Sequence, residues 1–152
     1  MKVYLVRHGE AVSPEIDPEK PLSPQGREDV ENIAKFLAKN SFPLSAILHS
    51  EKLRAKQTAQ IMKMDLAPNV ELEEHSYLSP NDPIEEATVR IEAEDEDLMI
   101  VSHLPFLNKL ASFLLTGHED QVLISFEAGT TACLCSDNGT WTVDWIVGIE
   151  QV

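Results

Sequence analysis

Apolar positions along the chain follow two periods. Val3 to Val6, Leu44 to Leu48 and Leu98 to Val101 are short apolar runs that read as buried strands, each ending in polar residues. Val70 to Glu74 reads as a weaker strand broken by charges. Between the runs the spacing turns helical. Val30, Ile33, Ala34, Leu37 and Ala38 form one stripe, opened by Ser23 as N-cap with Pro24 at the first helical position. Leu53 to Met64 forms a second helix, with Ala55, Ala59 and Met62 on one side. Asp82-Pro83-Ile84-Glu85 has capping-box-like spacing and opens a helix carrying Ile84, Ala87, Thr88 and Ile91; Phe106 to Leu115 follows Leu104-Pro105. Thr130 to Cys135 and Trp141 to Val147 flank the turn Asp137-Asn138-Gly139 and predict an edge hairpin, while Ser13 to Pro21 reads as an exposed loop. Strands alternating with helices predict one α/β domain over residues 1–152, a three-layer α/β/α sandwich around a mixed, mostly parallel sheet.

Composition narrows the possibilities. With 43% hydrophobic residues, the chain can bury a core, yet no apolar run spans a bilayer. The N-terminal stretch lacks the long apolar core of a signal peptide, so the cytoplasm is the expected location. Cys133 and Cys135, one residue apart in a strand-like stretch, share a face as small hydrophobes, and neither a disulfide nor a metal site is expected. A formal net charge of -14 repels a phosphate backbone, so neither nucleic acid nor an anionic membrane is an expected partner. It works equally against phosphorylated substrates, which makes local concentration of cations necessary. The arginines are Arg7, Arg27, Arg54 and Arg90, and two of them stand at strand ends or just beyond.

Those strand ends carry the candidate chemistry. Arg7-His8-Gly9-Glu10 closes the first strand, Ser50 with Arg54 follows the second, and His103 follows the strand ending at Val101. Phosphoryl transfer needs an in-line nucleophile and cations around the three equatorial oxygens, which two histidines and two arginines supply without a metal or cofactor. His8 must be neutral at the attacking nitrogen, a state that nearby arginines favour, and its other nitrogen should donate to the carbonyl of Gly9 or a neighbour. Arginine binds two phosphate oxygens at once. Gly9 would let the backbone approach the phosphate or turn sharply. Ser50 reads first as an N-cap or loop serine and second as a pocket residue. Glu10 either touches the site or caps the turn. His49, His75 and His118 read as structural, Trp141 and Trp145 as packing residues, and Glu92 to Asp97 as a solvated helix end. Phe106 is the core residue expected near the pocket mouth.

Leu5-Val6-Arg7-His8-Gly9-Glu10 resembles the signature of the histidine phosphatase superfamily, which includes the cofactor-dependent phosphoglycerate mutases. Ser50 to Ala59 resembles its second arginine motif, Val101-Ser102-His103 its second histidine motif, and Pro21 to Gly26 the stretch that opens its first helix. Val101 to Leu107, with the short length, is similar to the small bacterial phosphohistidine phosphatases of the SixA type. The resemblance implies a phosphoglycerate mutase-like fold and a phosphohistidine intermediate on His8. It implies that Arg7, Arg54 and His103 bind the phosphoryl group, with Ser50, Gly9 and the backbone at Leu104 as weaker members. The implied substrate is a histidine-phosphotransfer protein; the alternatives are a small phosphorylated metabolite and a non-catalytic phosphate-binding module. Ester-cleaving branches carry an acid after the second histidine or in mid-chain. Leu104 fills the first place here, and Glu73, Glu74, Asp82 and Glu10 are the carboxylates to weigh as donors.

Overall fold

In chain order, the computed structural model, which describes residues 1–152, contains β1 (Lys2–Arg7), α1 (Pro24–Leu37), β2 (Leu44–Ser50), α2 (Leu53–Leu66), β3 (Leu72–His75), α3 (Glu85–Ala93), β4 (Asp97–Ser102), α4 (Phe106–Thr116), β5 (Thr131–Asp137) and β6 (Thr140–Val147). The apolar runs become strands because a central strand needs apolar side chains on both faces. In β1, Val3 and Leu5 enter the core under α3 and α4, and Tyr4 and Val6 the core under α1 and α2. Burying each such side chain contributes about 1.5–3 kcal/mol. The strand order is β3-β2-β4-β1-β5-β6; the first four are parallel, while β5 runs antiparallel to β1 and β6 to β5. This is the three-layer α/β/α architecture with a mixed sheet, and no helix is long and apolar enough to cross a membrane.

Local sequence explains most boundaries. Ser23 caps α1 by accepting the Gly26 N–H at 2.9 Å, with Pro24 in the first turn, an arrangement typically worth about 1 kcal/mol. Ala38 is the C-cap and is exposed, because α1 ends at Leu37 and the stripe ends with it. β3 starts at Leu72, where it comes into register with Ile47 of β2. α3 starts at Glu85 and not at Asp82: the Asp82 carboxylate accepts the Ser79 N–H at 2.7 Å and closes a turn ahead of the helix. The acidic stretch is also more than a solvated end, since Glu94 accepts Arg90 Nε at 2.9 Å and Asp97 accepts the Lys2 N–H at 2.7 Å.

Asn138 and Gly139, with φ of 52° and 81°, make the two-residue turn that matches the twist of the β5–β6 hairpin. A bulge interrupts that hairpin where Cys133 faces Trp145 and Leu134 faces Val143. One residue is thereby gained, so Trp141 packs toward α3 and α4 and Trp145 toward α1 and α2. The bulged Asp144 lies 3.6 Å from Cys135 Sγ and 4.0 Å from Cys133 Sγ, with the Lys2 ammonium 3.5 Å from its carboxylate.

Candidate active site

Because β4 lies between β1 and β2, the carboxyl ends of these three parallel strands stand side by side. Arg7 ends β1, Ser50 ends β2, and His103 follows β4 directly. The His8 N–H donates to the Ser102 carbonyl at 3.1 Å, tying the first motif to the third. The rings of His8 and His103 lie 4.8 Å apart between centroids, inclined at 55°. The four residues expected to form the pocket come from positions far apart in the chain, and the sheet places three of their anchor points on adjacent strands.

His8 Nδ1 lies 2.7 Å from the Gly9 carbonyl. A carbonyl can only accept, so Nδ1 carries the proton and the lone pair stands on Nε2. Burial, chiefly, lowers the His8 pKa to about 4; the Gly9 hydrogen bond opposes this, and the charges of Arg54 and Arg7 add to the lowering. The ring is therefore a neutral base near pH 7. His103, 2% exposed, is lowered to about 3 by burial and then by His8 and Arg54.

Ser50 Oγ lies 2.6 Å from His103 Nε2 and accepts the Lys52 N–H at 3.3 Å. Ser50 is fully buried. Were Nε2 also to donate to it, the hydroxyl hydrogen would have no acceptor. The hydroxyl thus donates to Nε2, and the ring proton resides on Nδ1. Ser50 thus bonds to the His103 ring and does not cap α2, whose N-cap is Lys52 without a side-chain bond.

Arg7 is held by one nitrogen, Nη1, which donates to the Phe126 carbonyl at 2.7 Å. Burial pulls Arg54, in the first turn of α2, below its usual pKa. Three buried side-chain polar atoms lack a partner in the protein: Arg7 Nε, His103 Nδ1 and Asn108 Oδ1. An unsatisfied buried donor costs about 1–3 kcal/mol, so two such donors in one site suit an anionic ligand with several acceptor oxygens.

Several residues serve differently from their sequence reading. Gly9 is buried against α1, where a Cβ would lie 2.6 Å from Val30 Cγ2; it permits close packing and orients His8 through its carbonyl, with no left-handed turn. Leu104 precedes a cis peptide bond to Pro105 and packs its side chain against the core under α3 and α4. Phe106 is fully buried in that core and does not reach a pocket mouth. The Glu10 carboxylate accepts the Ser23 hydroxyl at 2.8 Å and so braces the cap of α1. His49 is buried, with Nδ1 2.8 Å from the Ser50 carbonyl, and His75 lies 3.0 Å from Glu73; His118 is exposed.

Among the carboxylates, Glu73 makes two hydrogen bonds with Arg90, at 2.7 and 3.1 Å, which hold its pKa down at about 2. Asp82 is occupied by its turn, whereas Glu74 is exposed and borders an open cleft with Arg54.

Sequence reasoning missed Thr58. Its fully buried hydroxyl accepts the Gly9 N–H at 3.0 Å and donates to the Arg54 carbonyl at 2.8 Å, coupling the His8 loop to the Arg54 turn. The available signal was a hydroxyl four residues after Arg54, on the same buried side of α2 as Ala55, Ala59 and Met62. Phe126 was missed because it acts through its carbonyl, which no side-chain pattern reveals.

A family model described as the histidine phosphatase superfamily (branch 1) matches residues 3–79 of the 152. No curated protein matches the chain. In structure the chain is similar to the protein histidine phosphatase SixA complexed with tungstate, with a TM-score of 0.88 and 24% identity over 99% of both chains. It is also similar to the putative phosphohistidine phosphatase SixA from Agrobacterium tumefaciens, with a TM-score of 0.79 and 22% identity over 97% of both chains. A third likeness is to the alpha-ribazole phosphatase from Shigella flexneri, with a TM-score of 0.81 and 18% identity over 98% of this chain and 97% of that one. These likenesses cover nearly the whole chain and show its fold.

Proposed function

The chain belongs to the histidine phosphatase superfamily, and from that premise we propose that it removes a phosphoryl group from a histidine of a phosphotransfer protein, in the cytoplasm. The observation that carries the reading is the His8 ring, neutral and held through Nδ1 by Gly9, which leaves the Nε2 lone pair for attack, with the charges of Arg54 and Arg7 acting on the ring. In the first step the Nε2 lone pair forms a bond to phosphorus while the bond to the substrate nitrogen breaks. The Gly9 carbonyl accepts a stronger bond from the ring as it becomes cationic. Arg7, Arg54 and the Nδ1–H of His103 receive the equatorial oxygens. In the second step water attacks phosphorus, the bond to Nε2 breaks, and inorganic phosphate leaves with His8 neutral again.

The leaving group favours a phosphoramidate. A phosphohistidine protonated on its second ring nitrogen departs as neutral imidazole, so no carboxylic acid from the enzyme is required. That fits a site in which Glu10, Glu73 and Asp82 are committed to Ser23, Arg90 and Ser79. Glu74, exposed beside Arg54, supports a second reading in which a small phosphate ester is the substrate and Glu74 protonates its leaving oxygen.

Release of phosphate from a phosphohistidine-bearing phosphotransfer domain and from an aryl phosphate separates these readings. We expect faster turnover of the phosphodomain, no turnover by His8→Ala, and retained phosphate binding in that variant. A Glu74→Gln variant that loses activity on the ester would favour the second reading. Phosphate binding without hydrolysis of either substrate would mean a binding module and sink the enzymatic proposal.

A further inference from the structure

Twelve lysines and arginines stand against 26 acidic residues in this chain, yet Lys20, Lys52, Arg54 and Lys56 border a single open cleft of about 580 Å³. None of the four makes an ion pair; the ion pairs of the protein engage Lys2, His75 and Arg90 alone. The cleft adjoins the candidate phosphoryl site through Arg54, which borders it, and through Glu51 and Lys52, which directly follow Ser50, the hydroxyl 2.6 Å from His103 Nε2. Lys20 is held there by its backbone. It adopts φ of 51°, a left-handed conformation uncommon for a residue with a side chain, stabilised by its N–H donating to the Asp17 carbonyl at 3.0 Å.

We infer that this rim docks an acidic protein surface surrounding the phosphorylated histidine, so that specificity is read by Lys20, Lys52 and Lys56 outside the pocket that performs the chemistry. The inference rests on the phosphohistidine reading and adds the character of its carrier. Glu19, Glu51 and Glu74 border the same cleft. A compact anionic metabolite would meet attraction and repulsion together in so mixed a rim. A protein surface is extended enough to place acidic side chains against the lysines and neutral or basic ones against the glutamates, which fixes register as well as attraction. Elsewhere the formal charge of -14 repels an acidic partner. Approach from this side alone is thereby favoured.

The test compares a phosphohistidine peptide flanked by glutamates, its glutamine-flanked counterpart, and phosphoimidazole, which has no flanks. The glutamate peptide should show about tenfold higher kcat/KM than the glutamine peptide, mostly through KM. Lys56→Glu should abolish that preference while phosphoimidazole turnover stays unchanged. Equal turnover of the two peptides overturns the docking surface and leaves the phosphatase reading standing. If no phosphoramidate is hydrolysed, the phosphatase reading falls, and anisotropy with the unphosphorylated labelled peptides decides the docking question separately: equal binding of both overturns it, and tighter binding of the glutamate peptide that Lys56→Glu removes supports it.

Discussion

A single hydroxyl decides which nitrogen of His103 carries the proton. If Ser50 holds that tautomer, Ser50→Ala leaves Nε2 buried without its 2.6 Å partner and lets the proton move there. The loss of a buried hydrogen bond of this kind costs about 1–3 kcal/mol, so kcat should fall roughly 10- to 100-fold with a much smaller change in KM. Steady-state kinetics beside a thermal melt will check this; an equal loss of stability with intact kcat would assign Ser50 a purely structural role. The placement of Arg7, His8, Arg54 and His103 at or just beyond strand ends was legible in the sequence, because each follows a continuous apolar run. The services of Ser50, Gly9 and Glu10 were not, since each depends on what folds against it. Gly9 lies against Val30, and Glu10 against Ser23, thirteen residues away.

At the level of elements, the loop after β1 is clamped to α1. A Cβ on Gly26 would collide with the Glu10 carbonyl, and backbone has no flexible end to move aside. Gly26→Ala should therefore destabilise the protein by about 1–3 kcal/mol, as overpacking does, and lower activity by displacing Gly9 and with it His8. Chemical denaturation followed by a phosphatase assay reads both effects, and a wild-type denaturation midpoint would refute the clamp. Strands with continuous apolar runs and helices with a cap or a stripe were legible in the sequence. Boundaries failed where a side chain had two possible uses, as Asp82 did, closing the turn at Ser79 in preference to starting α3. The bulge at Asp144 was invisible because its cause is the register against β5, a property of two strands.

For the whole molecule, the partly buried His8 and the buried His103 make stability depend on pH. His8 and His103 have folded-state pKa values of about 4 and about 3, below the ordinary 6.5. Unfolding then takes up protons below about pH 6.5. Their contribution is complete above that pH and is lost as pH falls toward 4 and 3, at no more than about 1.4 kcal/mol per pH unit for each ring. Urea midpoints should decline between pH 7 and 4.5, and less steeply in His8→Asn; parallel curves for the two proteins would contradict the lowered His8 value. The fold class and the acidic excess were readable from composition and pattern. The clustering of unpaired cations at one cleft was not, because Lys20 and Lys52 to Lys56 meet only after α1 and β2 return the chain to the sheet.

The position of β4 between β1 and β2 also bears on how the protein matures. During synthesis β1 and β2 emerge first, but their native places are separated by a strand that follows about fifty residues later. The candidate site is complete only once that late strand lies between them, since it carries the Ser102 carbonyl that binds the His8 N–H and sets the His103 ring 4.8 Å from that of His8. A chain that ends before β4 therefore carries Arg7, His8 and Arg54 without the strand that sets His103 beside them, so the candidate site is a product of long-range sheet assembly and not of any one local segment.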